Sequence, residues 1–204
     1  GVLPGDAEFM FKAFILNFHQ TYPTISLSLL ETMKITEQVL DRSIDFGVTV
    51  GPVIDTRITS IPLYHEEFSL AVSKNDPLAT ECFIPLNKLH TLKMVMFPPD
   101  HQYRMLIDRF CMDQGFTLQP HMVTTTLSSL LQMVQSGVGS CILPKMLLDN
   151  LHHSDIKVLD LRHPTPSQDF CLIYRNDRYV GYAMRTFIKT LRAYIETAIN
   201  DSKT

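Results

Sequence analysis

The stretch from Thr124 to Pro144, TTTLSSLLQMVQSGVGSCILP, constrains the fold more than any other part of the chain. It reads in unbroken order as polar loop, helix, glycine turn, short apolar strand and stop. Leu127, Leu130, Leu131 and Val134 recur at helical spacing and form one stripe that must face a core. Thr126 stands just before that stripe, where a side-chain oxygen accepts from an otherwise unpaired amide of the first turn. Gly137 and Gly139 supply permissive backbone beyond the helix, and Cys141 to Leu143 is an apolar run closed by Pro144. A helix handing over to a buried strand in this way indicates an α/β protein. A hydroxyl before a helix is ordinary capping and can equally meet a ligand; both readings stay open here.

The remaining chain repeats the same alternation. A helix opening at Gly5 or Asp6 is expected over roughly Ala7 to Thr21. Its apolar residues, Phe9, Met10, Phe11, Ala13, Phe14, Ile15, Leu16 and Phe18, cover more of the circumference than one core face requires. Tyr22-Pro23 stops it, and Ile25, Leu27 and Leu29 alternate with serines as a strand. Thr36 is placed to cap a short helix with Val39 and Leu40. Phe46 to Val50 reads as a buried strand ending at Gly51-Pro52, and strand, helix, strand suggests a right-handed parallel unit. Ile58 to Leu63 and Phe68 to Val72 read as two shorter strands, with a polar crossing at Ser73 to Pro77. Met94 to Phe97 is a strand, and Pro99 or Asp100 is placed to start the helix carrying Leu106, Ile107 and Phe110, which Gly115 ends. Met122-Val123, Ile156 to Leu161 and Phe170 to Tyr174 are further strands, Leu147 to Leu151 a short helix. Ala183, Phe187, Ile188, Leu191, Ile195 and Ala198 define a long amphipathic helix that should pack on the first part of the chain, with 200–204 as a frayed end.

Composition excludes several classes. With 204 residues, 45% hydrophobic and only 19% charged, the chain can bury a core and is not disordered. A formal charge of -3 and no basic run argue against nucleic-acid binding by these residues. Cys82, Cys111, Cys141 and Cys171 form no CxxC pair or zinc spacing, so reduced thiols and a cytoplasmic setting are expected. No apolar stretch reaches the roughly 18 residues of a membrane span. The abrupt start at Gly1-Val2-Leu3 looks like the end of a strand. Catalytic constellations are absent: no GxSxG elbow, phosphate loop, HExxH, dinucleotide fingerprint or calcium loop occurs. His152-His153 with Asp155 reads as a solvated loop, His90, His101 and His121 are isolated, and neither a metal nor a cofactor is expected.

The order of hydroxyl, apolar helix, Val134, Gly137-Val138-Gly139 and Ile142-Leu143-Pro144 resembles the effector-binding domain of LysR-type transcriptional regulators. Phe18 with Tyr22-Pro23 and Ile25 to Glu31, then Leu40 with Ser43-Ile44-Asp45-Phe46-Gly47-Val48, then Pro62-Leu63, Glu67 and Pro77-Leu78-Ala79 match the same family in order. Ser43 departs from a usual glycine and Cys141 from a small aliphatic residue. The resemblance implies a two-lobed type 2 periplasmic-binding-protein-like α/β architecture with two interlobe crossings, divided as residues 1–72, 73–171 and a return over 172–204. It implies a winged helix-turn-helix ahead of Gly1 that carries DNA binding. It also implies a side-by-side homodimer through Phe11, Phe14, Ile15 and Phe18 against a second-lobe surface, with a tetramer open to the full-length protein. A small anionic metabolite is expected between the lobes, at Gly5-Asp6, Gly51-Pro52, Pro99-Asp100 and Thr125-Thr126. Asp6 and Asp100 are expected to be caps facing away, and Arg104 could supply charge. The same fold serves importer solute-binding proteins and, less readily, an enzyme, and these are the alternatives.

Overall fold

The chain divides into two compact units in a computed structural model that describes residues 1–151 and 155–201. The first unit comprises residues 1–66 and 168–204, the second 67–167, so the chain crosses over twice. These boundaries fall earlier than the expected 72/73 and 171/172. The cause is one long strand, β2 (Ile58–Ser73), where the sequence suggested two. His65 and Glu67 alternate with buried Tyr64, Glu66 and Phe68, so the polar residues taken for a break are one face of a continuous strand.

In the first unit, α1 (Asp6–Phe9) and α2 (Lys12–Thr21) replace the single expected helix. Met10 and Phe11 both return to the carbonyl of Asp6, which closes the first helix before the second begins. Helix α3 (Ile35–Leu40) starts one residue ahead of Thr36, which lies inside it and is not its cap. Strand β1 (Phe46–Val50) pairs antiparallel with β8 (Ser167–Arg175), and β8 neighbours β2. The run 25–30 is not a ladder strand; among the described residues this segment bridges at Glu31, to Val2. Helix α7 (Tyr182–Asp201) belongs to this unit, as expected. Its Phe187 meets Phe14, Phe18 and Phe46 at ring distances of 5.1, 5.0 and 4.8 Å, and Tyr194 meets Phe14 at 5.4 Å. Asn200 and Asp201 are in α7, while 202–204 lie outside the described residues. Phe11, Phe14 and Phe18 are all buried, so α2 turns its phenylalanines into its own unit and Leu16 outward.

In the second unit, β2 is flanked by antiparallel β6 (Cys141–Pro144) and β7 (Ile156–Arg162), and β3 (Phe83–Pro85) runs parallel to β7. Leu86–Thr91 is a 3-10 helix. Strand β4 (Met94–Met96) runs parallel to β5 (Pro120–Val123). Helices α4 (Gln102–Asp113), α5 (Leu127–Gln135) and α6 (Lys145–Asp149) complete the unit. The organising stretch folds as expected: Leu127, Leu130, Leu131 and Val134 are buried, and Gly137 has φ 73°. At Gly139 a Cβ would lie 2.4 Å from the Lys93 carbonyl oxygen, so only glycine lets this turn close on β4. The loop with His152-His153 lies outside the described residues.

Candidate functional site

Parallel pairing of β4 and β5 places their carboxyl ends side by side, and each runs directly into a helix start. The Thr124 amide donates to the Met96 carbonyl at 3.0 Å, tying the first residue past β5 to the last residue of β4. In the β5 loop, Thr125 and Thr126 are exposed. Thr126 is the N-cap of α5: its Oγ1 accepts from the Ser129 amide at 3.2 Å and donates to Ser129 Oγ at 2.8 Å. Free first-turn amides and two exposed hydroxyls at a helix start suit an anion.

The β4 loop is built differently from expectation. Pro99 and Asp100 are exposed and do not start α4; His101 is its N-cap, with Nδ1 accepting from the Tyr103 amide at 3.2 Å. His101 is buried and stacked on Phe97, ring centroids 3.9 Å apart. Burial holds its pKa down at about 4, with the Asp100 charge pulling the other way, so the imidazole is neutral. Arg104 is committed inside the unit: Nε donates to Asp108 at 2.6 Å and a terminal nitrogen to the Phe97 carbonyl at 3.1 Å, with 10% of its side chain exposed. It braces the loop. A cavity beneath, lined by Phe97, Arg104 and Leu130 among others, measures about 20 Å³, room for about one water.

In the first unit, Gly5 precedes α1 with φ 93°, and its amide donates to Glu31 Oε1 at 2.8 Å. Asp6 is buried at 1% exposure and is the first helical residue, so the N-cap position falls to Gly5. Gly51 is buried, with its amide on the Asp169 carbonyl at 2.8 Å and its own carbonyl accepting from the Gln168 amide group; Pro52 is exposed. A Cβ at Gly51 would lie 2.9 Å from Cys171 Sγ. Sequence reasoning missed Tyr64 and Glu66, which share one face of β2 and are buried at 7% and 3% exposure. Tyr64 stacks on Phe170 at 5.0 Å, and its hydroxyl is buried without a hydrogen-bond partner among the described residues. Burial pushes its pKa up, and the charges of Asp6 and Glu66 push it further. The signal was available: one unbroken β2 would have put Tyr64, Glu66 and Phe68 on a common face. Among the described residues no group of three His, Cys, Asp or Glu side chains could hold a metal, and no helix is long and apolar enough to cross a membrane.

The family model for the LysR substrate binding domain matches residues 7–196. The chain belongs to this family. Among curated relatives, this LysR substrate binding domain is 28% identical over 207 residues to the HTH-type transcriptional regulator YwbI of Bacillus subtilis, covering 100% of this chain and 68% of YwbI. Among solved structures, a cysteine mutant of OxyR from Corynebacterium glutamicum superposes with TM-score 0.84 at 19% identity, covering 98% of this chain and 64% of that one. The effector binding domain of QuiR in complex with shikimate superposes with TM-score 0.80 at 20% identity, covering 97% and 95%. The LysR-type two-lobed α/β fold is therefore shared. The domain spans 58 to 68% of the length of the curated relatives it matches.

Proposed function

We propose that residues 1–204 are the effector-sensing and dimerisation part of a LysR-type transcriptional regulator, working by binding and not by catalysis. DNA recognition belongs to a helix-turn-helix outside these residues. The observation that carries this reading is the family match across residues 7–196. An effector alters transcription only through unequal affinity for alternative states of the domain or its oligomer.

The effector of this reading is a small carboxylate. Its charge is met at the start of α5 by free amides and by Thr125 and Thr126. QuiR, which shares the fold, is described with shikimate, a hydroxylated carboxylate. Pro99, Asp100 and Arg104 contribute by shaping the loop before α4.

The dimer of this reading uses the outward face of α2, with Leu16 56% exposed and Ile15 half-buried beside it, against Met105 and Met112 of α4 and Met122 and Val123 of β5 on a second copy. Exposed large apolar side chains are the kind that interaction surfaces bury. Calorimetric titration of residues 1–204 with shikimate, benzoate and their amine counterparts tests the ligand class. Binding of carboxylates alone supports it; binding of amines with equal affinity, or of neither, removes it. Sedimentation of the unmodified chain beside Leu16→Glu tests the dimer: a monomer that persists at high concentration, or a dimer indifferent to the substitution, refutes the assigned face.

A further inference from the structure

Helix α7 keeps one face for its own unit and turns another to solvent. Leu191 and Ile195 are buried, and Phe187 and Tyr194 meet Phe14 of α2 at 5.1 and 5.4 Å. Arg185, Lys189 and Arg192 recur at spacings of four and three, which gathers them into a single stripe on the other side, and all three are exposed. At 1.5 Å of rise per residue the stripe is about 10 Å long. Residues 178–195 hold four basic side chains and no acidic one, in a chain whose formal charge is -3. A search for consecutive basic residues passes over this cluster, because it exists only once the helix is wound.

The stripe does not serve the helix that carries it. The arginines just ahead are committed within the unit, Arg175 to Asp177 at 2.6 Å and Arg178 to Asp45. Arg185, Lys189 and Arg192 enter no ion pair and no side-chain hydrogen bond among the described residues. Like charges three and four residues apart repel and weaken a helix. Arg185 also lies in the first turn of α7, which has no acidic residue, so its charge opposes the helix dipole unrelieved. The carboxylate on the same face, Glu196, follows Arg192 by one turn, the less favourable order for a helical pair. An arrangement that weakens its own helix points to an anion outside the unit.

We propose that the stripe of Arg185, Lys189 and Arg192 docks on the phosphate backbone of duplex DNA flanking the bases that the helix-turn-helix reads. This rests on the reading of residues 1–204 as part of a DNA-binding regulator. A duplex carries one negative charge per about 1.7 Å of its axis, so the stripe faces several phosphates at once. A protein partner would call for a different surface, since such interfaces have apolar and aromatic cores and are poor in lysine. From Arg185 to Thr197, α7 exposes no large apolar side chain; the exposed neighbours of the stripe are Ala193, Glu196 and Thr197. Phosphate contacts of this kind position a duplex and add affinity without choosing its sequence. Carried on the same polypeptide as the helix-turn-helix, the stripe meets DNA at a high effective concentration, so three individually weak contacts suffice.

The test uses the longer protein that carries the helix-turn-helix, unmodified, as the triple variant Arg185→Gln, Lys189→Gln and Arg192→Gln, and as the charge-keeping variant Arg185→Lys and Arg192→Lys. Fluorescence titrations use a mixed-sequence duplex of about 60 base pairs and one of about 20 that spans two half-sites only, between about 50 and 200 mM salt. Three phosphate contacts per subunit contribute about -2.7 to the slope of log K against log salt, or about 40-fold in affinity across that range. On the long duplex the glutamine variant is expected to lose this part of the slope and the lysine variant to keep it, while on the short duplex all three proteins coincide. Melting of the glutamine variant is expected to be unchanged or raised, because like charges have been removed from one helix face. Equal slopes on the long duplex, or a loss as large on the short one, overturn the proposal. Equal slopes accompanied by altered sedimentation overturn it by assigning the stripe to an acidic face of a second copy. Absence of any duplex binding by the unmodified protein removes the regulator reading itself, and this proposal with it.

Discussion

Removing the Thr126 hydroxyl isolates one cap bond and, in the proposed reading, one effector contact. Thr126→Ala deletes the acceptor of the Ser129 amide and the donor to Ser129 Oγ. Loss of a Ser, Thr, Asn or Asp cap costs about 0.5 to 2 kcal/mol. Because Thr126 is exposed, water replaces part of what is lost, which places the expected cost near the middle of that range, about 1 kcal/mol. For a chain of this length that corresponds to a fall in melting temperature of about 2 to 4 °C. Thr126→Val, which keeps the shape without the oxygen, should cost as much, and Thr126→Ser should cost little. Urea unfolding, with amide exchange at Ser129 as the local readout, makes the comparison. If Thr126→Ser is as damaging as Thr126→Ala, or if Ala and Val are indistinguishable from the unmodified chain, the oxygen is not the stabilising element. Where Thr126 also meets a carboxylate, the alanine variant should lose a charged hydrogen bond of about 1.5 to 3 kcal/mol in binding, roughly 10- to 150-fold in affinity. Equal affinity of all variants would leave the cap intact as an explanation and remove Thr126 from the effector site.

His101 has a folded pKa of about 4, below the unfolded value near 6.5, so the unfolded chain takes up its proton first as pH falls. Its stabilising contribution is complete above about pH 6.5 and is lost on descending towards 4; the full difference is on the order of 3 kcal/mol. Urea midpoints between pH 4.5 and 7 should therefore be flatter in His101→Asn, which retains a capping oxygen, and parallel curves would contradict the assignment. Burial, with Asp108 adding to it, pushes the Cys111 thiol up to about 12, burial alone pushes Cys141 up, and Cys82 is exposed, so thiol labelling of the folded chain should modify Cys82 and spare the other two until urea is added. Rapid native labelling of Cys111 or Cys141 would count against this packing. Gly139→Ala should destabilise by about 1 to 3 kcal/mol, since its Cβ meets the Lys93 carbonyl and not a side chain able to turn away; an unchanged unfolding curve would show that the β4 edge yields.

What could be read from residue order was what local chemistry determines. The α5 stripe, the Thr126 cap and the Gly137-Val138-Gly139 turn all follow from spacing within one segment, and all are present. Where the outcome depended on a distant segment, the reading slipped. Ile25 to Leu29 alternates as a strand does, but a strand exists only with a partner, and Val2 bridges just beyond it, at Glu31. Helix α4 was assigned to a proline or aspartate start because those residues favour such positions, whereas stacking on Phe97 and closure by Tyr103 select His101. Arg104 looked available for a ligand until the carboxylate one turn ahead and the Phe97 carbonyl were seen to occupy it. Tyr64 and Glu66 went unnoticed because β2 was cut in two at the place where its alternation matters most.

The outward methionines of the second unit carry a chemical liability. Met105, Met112 and Met122 are 53%, 63% and 37% exposed, whereas Cys111, Cys141 and Cys171 are buried. Peroxide or dissolved oxygen therefore reaches these thioethers before it reaches those thiols, and sulfoxidation places a polar oxygen on a face otherwise suited to apolar contact. In the proposed dimer, an aged sample would lose adhesion at these residues while its core and helices stayed intact, and methionine sulfoxide reductases would restore it.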